Sequence, residues 1–307
     1  MLDESVSFGT GTDAILDVAG HVAEAGTTVS PEVTLAARLK AEELRGLPAS
    51  RVREAFERVL VATNAHLGLQ WLNDAGVLAV LLPEVHATVD LSQEAGRRHK
   101  DVWEHTKQVV LQSPPRPVLR WAALLHDIGK VSTRVILQDG RVTFHRHAEA
   151  GARMFGPIAR RFGFAHEERQ RIRALILHHL RANAYESEWT DAAVRRFDHE
   201  MGPLLADLIE LSRADVTSAR PGRKQEAARN VEALLQRILA IRELDSRVPP
   251  LPPGVGNAIM EAFGIPPSKR IGELRDMCEE AILQGELKEH QTPDYYVDFL
   301  RKRGITG

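Results

Sequence analysis

The chain has 307 residues, 43% hydrophobic and 27% charged, with 40 Lys and Arg against 42 Asp and Glu for a formal net charge of -2. That length and balance fit a globular protein of one large or two to three smaller domains, without the global basic excess of many nucleic-acid binders. The single cysteine, Cys278, excludes a disulfide within the chain and suits a reducing compartment. The N-terminal stretch MLDESVSFGTGTDA is acidic and carries no apolar run of the signal-peptide kind. No apolar run approaches membrane-spanning length, so the expectation is a cytoplasmic protein without a membrane partner.

Taken in chain order, residues 1–30 are Gly- and Thr-rich and weakly periodic, which predicts partial disorder. VREAFERVLVATN (52–64) and LGLQWLNDAGVLAVLLPEV (67–85) carry apolar residues at helical spacing, the second broken by Gly76 and Pro83. Further helices are predicted over 101–112, 117–127, 147–162, 167–181, 190–198, 203–219, 223–243, 255–263 and 270–284. One segment reads differently. TRVILQDGRVTFH alternates about Asp139-Gly140 and predicts a two-residue β-hairpin. Pro249, Pro250, Pro252 and Pro253 predict a linker over 247–254. The fold class is therefore all-α with one small hairpin.

Between residues 141 and 183 the bases are Arg141, Arg146, Arg153, Arg160, Arg161, Arg169, Arg171, Arg173 and Arg181, against Glu149, Glu167 and Glu168. This reads either as a solvated helix face or as a surface facing phosphate or RNA.

Within ALLHDIGK, His126 and Asp127 stand directly behind an apolar run, where an unsatisfied imidazole or carboxylate is costly. Other segments do the same. His105 shares a helix face with Val102 and Val109, and Asp101, one turn earlier, could orient it or act as a ligand. His147 follows the hairpin. Ile172, Leu175, Ile176 and His179 form one stripe, which favours His179 over His178 as the inward residue. Asp215 lies on a stripe with Leu204, Leu208 and Leu211. Imidazole with carboxylate is the ligand set of Mn, Fe, Co, Ni, Zn or Mg, and the absence of Cys argues against a structural zinc–thiolate site.

The order His105, His126-Asp127, His147, His178/His179, Asp215 resembles the HD-domain metal-dependent phosphohydrolase superfamily. HKDVWEHT, ALLHDIGK, FHRHAEAGA, HHLR and RADVTSAR resemble the HD domain of bacterial tRNA nucleotidyltransferases. ASRVREAFERVL with GLQWLNDAGVLAVLLPEV resembles their helical neck, and GNAIMEAFGIPPSKRIGELRDMCEEAILQGEL their body and tail. The resemblance covers about residues 35–290. The Gly-rich strand turn and DxD pair of that family's catalytic head are absent, and ARLKAEELRGLP stands where an EDxxR would be expected. The resemblance therefore implies a free-standing neck, HD and tail protein, not CCA addition.

It further implies a multi-helix HD bundle over 93–246, flanked by a neck-like region over 1–92 and a body- or tail-like region over 247–307. It implies two divalent ions. His105, His126, Asp127 and Asp215 would hold the first; Asp127 would bridge to a second held by His147 and His179, with His178 assisting. Asp127 and Lys130 are the catalytic candidates. Lys130 would meet a phosphate oxygen or the leaving group, unless it is only a cation favoured by a helix C-terminus. Arg146, Arg181 and Arg220 are candidates to grip a second phosphate or a ribose edge. His99 and His145 would line the cleft, and His86, His166, His199 and His290 would be surface or packing residues. The expected substrate is a phosphoester of RNA or a nucleotide, such as a 2′,3′-cyclic phosphate, a 2′-phosphate or a nucleoside phosphate, with tRNA among the partners. The alternative is an RNA-binding helical module with a vestigial or regulatory HD site. Monomer and oligomer are both left open.

Overall fold

The computed structural model describes residues 12–91, 101–216, 221–247 and 249–305. The candidate Arg220 and the flanking His99 lie outside the described residues. The chain divides into two compact units, Met1–Ala184 with Ala206–Val231, and Tyr185–Leu205 with Glu232–Gly307. Both are helical, and the hairpin is the one sheet among the described residues, in agreement with the all-α expectation.

The first unit is organised around the helix Pro117–Leu125. Leu119, Arg120, Trp121, Ala122, Ala123, Leu124 and Leu125 are all buried, so this helix is enclosed rather than amphipathic. Trp121 stacks on Phe56 at 5.8 Å between ring centroids and meets the edges of Phe162 and Phe164. The buried Arg120 guanidinium donates to the carbonyls of Ser113 (3.0 Å), Ala62 (3.0 Å) and Leu60. It thereby satisfies carbonyls at the C-terminal ends of the helices Ala49–Val61 and Val102–Gln112. Arg120→Met would keep the stem packed but strand those carbonyls. The expected loss is about 3 kcal/mol in denaturant unfolding.

Of residues 1–30, expected to be partly disordered, 1–11 lie outside the described residues, and the rest includes an ordered helix. Ala14–Ala25 is a helix whose Ile15, Leu16, Val18, Ala19, Val22 and Ala23 are buried. It packs against the helix Ala65–Asp74 where Gly68 sits; a Cβ there would come within 2.7 Å of Ala23 Cβ and 2.9 Å of the Ala19 carbonyl. Ala19 and Ala23 at this contact allow the close helix approach, while Ile15, Leu16, Val18 and Val22 supply apolar bulk. Ser30 then caps Pro31–Lys40, with Pro31 at its first position. The breaks expected at Gly76 and Pro83 are present: Gly76 has φ +73°, and the segment falls into Ala65–Asp74, Val77–Leu81 and Pro83–His86.

The hairpin is shorter than its alternating pattern suggests, and its loop is longer. Val135–Ile136 pairs antiparallel with Val142–Thr143. Leu137 N–H donates to Arg141 O (2.8 Å) and Gly140 N–H to Leu137 O (2.9 Å), with Gly140 at φ +79°. This is a three-residue loop closed by a left-handed glycine, not the two-residue turn expected from Asp-Gly.

In the second unit Leu251 is buried with Val255, Ile259, Leu274, Cys278, Ile282, Tyr296 and Leu300. The Pro250 carbonyl accepts from His290 N–H (3.0 Å), so the proline-rich stretch read as a linker contributes to this core. Arg195 clamps Asp245 (2.8 Å) and Glu289 (2.7 Å). Burial pushes the Cys278 thiol up to about 11, as fits an inert packing residue. No helix among the described residues is long and apolar enough to cross a membrane.

Candidate metal centre

Four features of local structure aim the expected residues inward. His105 stands one turn into Val102–Gln112. His126 and Asp127 lie just past Pro117–Leu125, so the enclosed helix delivers them into the interior, and both are 1% exposed. His147 opens His147–Arg161, which the chain enters through Arg146 at φ +60°. His179 and Asp215 stand at the C-terminal ends of His166–His178 and Leu205–Asp215.

These residues converge on one carboxylate. Asp127 Oδ2 lies 3.2 Å from His126 Nε2, 3.4 Å from His105 Nε2 and 2.6 Å from Lys130 Nζ. Its Oδ1 lies 3.3 Å from His147 Nε2 and 3.9 Å from His179 Nε2. The two halves thus share Asp127, one oxygen facing each. Asp215 Oδ1 joins the first half, 3.0 Å from His105 Nε2 and 3.6 Å from His126 Nε2.

The far side of three rings is tied to the backbone. Nδ1 of His126, His147 and His179 lies 2.8, 2.9 and 2.7 Å from the carbonyls of Ala123, Phe144 and Ile176. A carbonyl can only accept, so each Nδ1 carries the hydrogen. Each Nε2 can then present a lone pair to the centre. Nε2 of His147 and His179 are 3.2 Å apart, and Nε2 of His105 and His126 are 3.1 Å apart.

Electrostatics follow from burial and these neighbours. Burial lowers the His179 imidazole, helped by the His126 charge, to about 4, so the ring is neutral at pH 7. Burial also opposes a charge on His126, but the Asp127 and Asp215 carboxylates outweigh it and raise its value. Burial alone would raise Asp127; the His126 and Lys130 charges instead hold it well below the ordinary carboxylate range. Asp215 likewise would rise on burial, but the His105 hydrogen bond and the His126 charge bring it down to about 2.

The sign for stability follows directly. A depressed carboxylate contributes stability that is present above its ordinary value of 3.8 and lost as pH falls through about 2. Metal-stripped protein should therefore lose about 2 kcal/mol from Asp215 between about pH 4 and pH 2, measured by urea unfolding at fixed pH. In Asp215→Asn that portion of the slope should vanish.

The donors fit a divalent ion. Asp127 Oδ1 is buried with no hydrogen-bond partner, an expense of about 1–3 kcal/mol that a cation would relieve. His105, His126 and Asp127 form one grouping with metal-ligand spacing, and Asp127, His147 and His179 form another. Imidazole and carboxylate suit Mn, Fe, Co, Ni, Zn or Mg.

Other expected residues fall elsewhere. His178 lies outside both groupings, as the helical stripe through His179 predicted. The Asp101 carboxylate caps its own helix, accepting from Trp103 N–H (2.6 Å) and Glu104 N–H (3.2 Å). Lys130 opens the turn Lys130–Thr133, beyond the C-terminal end of Pro117–Leu125. Its ammonium pairs with Asp127 and lies 5.5 Å from the Phe144 ring centroid. Arg146 is exposed and within 3.4 Å of Glu149; Arg181 is half-buried, two residues past His179. Of the basic stretch, Arg141, Arg161 and Arg171 pair at 2.6 Å with Asp139, Glu84 and Asp207, acids outside it. Arg153, Arg160 and Arg173 are exposed.

Gly129 went unread in the sequence, although it follows the His-Asp pair directly. A Cβ there would overlap the His147 carbonyl and lie 2.6 Å from Gly151 N. The helix that carries His147 can approach the Asp127 turn this closely only because position 129 is glycine.

Comparison with known proteins agrees with this geometry. Residues 87–220 match the HD domain, and residues 26–88 match the family described as the probable RNA and SrmB-binding site of polymerase A. The A-adding tRNA nucleotidyltransferase of Deinococcus radiodurans is 33% identical over 282 residues, 88% of this chain and 64% of that protein. The CC-adding tRNA nucleotidyltransferase of Thermus thermophilus is 32% identical over 250 residues, 78% of this chain and 54% of that protein. The multifunctional CCA protein of Pseudomonas fluorescens (strain Pf-5) is 37% identical over 118 residues, 36% of this chain and 29% of that protein. The chain thus spans between half and two thirds of the two longer-matching relatives. A buried aspartate ringed by inward histidines thus lies within the segment that matches the HD domain, behind a segment that matches the polymerase-A family, in a chain similar to part of the tRNA nucleotidyltransferases.

Proposed function

We propose that this chain is a metal-dependent phosphohydrolase acting on a phosphoester of RNA or of a nucleotide. The observation that carries the reading is Asp127, with histidine Nε2 atoms against both carboxylate oxygens and one oxygen buried without a partner. His105, His126, Asp127 and Asp215 would hold one divalent ion, and Asp127, His147 and His179 a second. When bound, such ions supply Lewis acidity toward phosphate oxygens and an activated water for attack on phosphorus.

The chain's own residues do the rest. The Ala123, Phe144 and Ile176 carbonyls lock three rings in the ligating tautomer, so little reorganisation is needed. Lys130, which pairs with Asp127, is proposed to meet a phosphate oxygen. Arg181, and the exposed Arg146 ahead of His147, are proposed to hold a second phosphate or a ribose edge. The relatives are named for adding A or CC to tRNA, and the 26–88 match is named for RNA binding. These names favour RNA, tRNA included, as the substrate carrier over a free nucleotide. A 2′,3′-cyclic phosphate, a 2′-phosphate and a nucleoside phosphate are the esters to try. The organisation into neck (1–92), HD (93–246) and body (247–307) is part of the same proposal.

The test is metal content of purified protein, with hydrolysis of a generic phosphodiester and a phosphomonoester under added Mn, Ni, Co and Mg. Bound metal near one or more per chain, with turnover that disappears in Asp127→Ala, supports the hydrolase. A second reading, an RNA-binding module with a silent HD site, draws on the 26–88 match. It would be favoured by RNA affinity that survives Asp127→Ala in a protein with no turnover.

A further inference from the structure

The two halves of the centre are not equally ready for a cation. On the Oδ1 side, His147 and His179 have their Nδ1 hydrogens committed to backbone carbonyls, and Asp127 Oδ1 is buried with no hydrogen-bond partner. That half has a carboxylate oxygen 3.3 Å from His147 Nε2 and two imidazole nitrogens 3.2 Å apart. On the Oδ2 side the carboxylates are already served. Lys130 Nζ sits 2.6 Å from Asp127 Oδ2. His105 Nε2 lies 3.0 Å from Asp215 Oδ1, placing its hydrogen on that carboxylate, and 3.1 Å from His126 Nε2. A ligand entering there must displace an ammonium from one carboxylate and a hydrogen from the other.

We propose that Lys130 is a built-in counter-cation for the Oδ2 side, so that the Oδ1 side takes a divalent ion first and the Oδ2 side only as Lys130 withdraws. This rests on the metal-centre reading above. It adds an order of loading and a role for Lys130 that is separate from contact with substrate. The Lys130 side chain is 12% exposed against 2% for Asp127, and its ammonium lies 5.5 Å from the Phe144 ring centroid, so it is the partner nearer solvent. A phosphate group arriving there would draw it off Asp127, and substrate binding and second-ion binding would then favour each other.

The experiment is Mn(II) titration of metal-stripped full chain, followed by calorimetry and electron paramagnetic resonance. Wild type should take up two ions in steps separated at least tenfold. His179→Ala should remove the tight step, and Asp215→Asn should spare it. Lys130→Met keeps the stem and removes the charge. It should tighten the weak step at least tenfold and leave the tight one within threefold, bringing spin-coupled pairs in at lower total Mn(II). Lys130→Gln should act in the same direction, which guards against a packing effect of Met. Two steps that neither Lys130 variant moves, or a tight step lost in Asp215→Asn, would overturn the order while leaving the metal centre intact. No Mn(II) uptake by wild type would overturn the centre itself and the order with it.

Discussion

Asp127→Ala should strip the protein of its bound divalent metal and reduce phosphoester turnover on the order of 1,000-fold or more. The size follows from position: the carboxylate belongs to both ligand groupings, and its two oxygens face different histidine pairs. Preorganised charge in a dry site is worth several kcal/mol at the transition state, and here one residue supplies it to both halves. Asp127→Asn separates charge from shape. It keeps the side-chain volume and a carbonyl oxygen but loses the negative charge and the attraction for Lys130. Metal content by mass spectrometry should fall in both variants, while circular dichroism stays helical. Unchanged metal content in Asp127→Ala would sink the assignment of the centre.

Gly129→Ala should damage the fold of the centre itself. The glycine has ordinary helical torsions, φ -67° and ψ -16°, so the requirement is space and not backbone freedom. A methyl group would overlap the His147 carbonyl and crowd the Gly151 nitrogen, both main-chain atoms that no rotamer change can move. The helix His147–Arg161 would have to retreat, taking His147 Nε2 from its 3.3 Å approach to Asp127 and opening its 3.2 Å approach to His179. Overpacking of this kind costs about 3 kcal/mol or more when backbone must shift. The expected result is a fall in thermal midpoint together with loss of metal uptake. Gly156→Ala makes a control, because a Cβ there meets nothing within 4 Å. A Gly129→Ala protein with native stability and full metal uptake would show that the close approach is not required.

What was readable in the chain was what helical phase and residue chemistry dictate locally. The stripe Ile172, Leu175, Ile176 picked His179 over its neighbour His178, and the structure brings His179 to the Asp127 grouping. The breaks at Gly76 and Pro83 were legible for the same reason. Misreadings arose where the signal was weak or had two uses. Ala14–Ala25 was passed over beside a Gly- and Thr-rich start, although Ile15, Leu16, Val18 and Val22 are buried. Asp101 lies on the face of His105, yet its carboxylate is spent on the free amides of its own helix start. Asp139-Gly140 signals a hairpin, but loop length depends on where cross-strand pairing begins, at Leu137 and Arg141.

The sequence by itself determined which residues carry ligand chemistry and which way each faces on its own helix, because side-chain type and a 3.6-residue period are local properties. Only the tertiary structure decided that these residues share one carboxylate, with His126 and Lys130 against one oxygen and His147 against the other. That assignment depends on contacts between helices far apart in the chain. Those contacts are set by packing that leaves little periodic trace: Arg120 tying helix ends to the buried core, and Gly129 letting two backbones meet. A glycine chosen for close approach and an arginine chosen for distant carbonyls look ordinary in sequence, because the groups that require them are brought near only by folding.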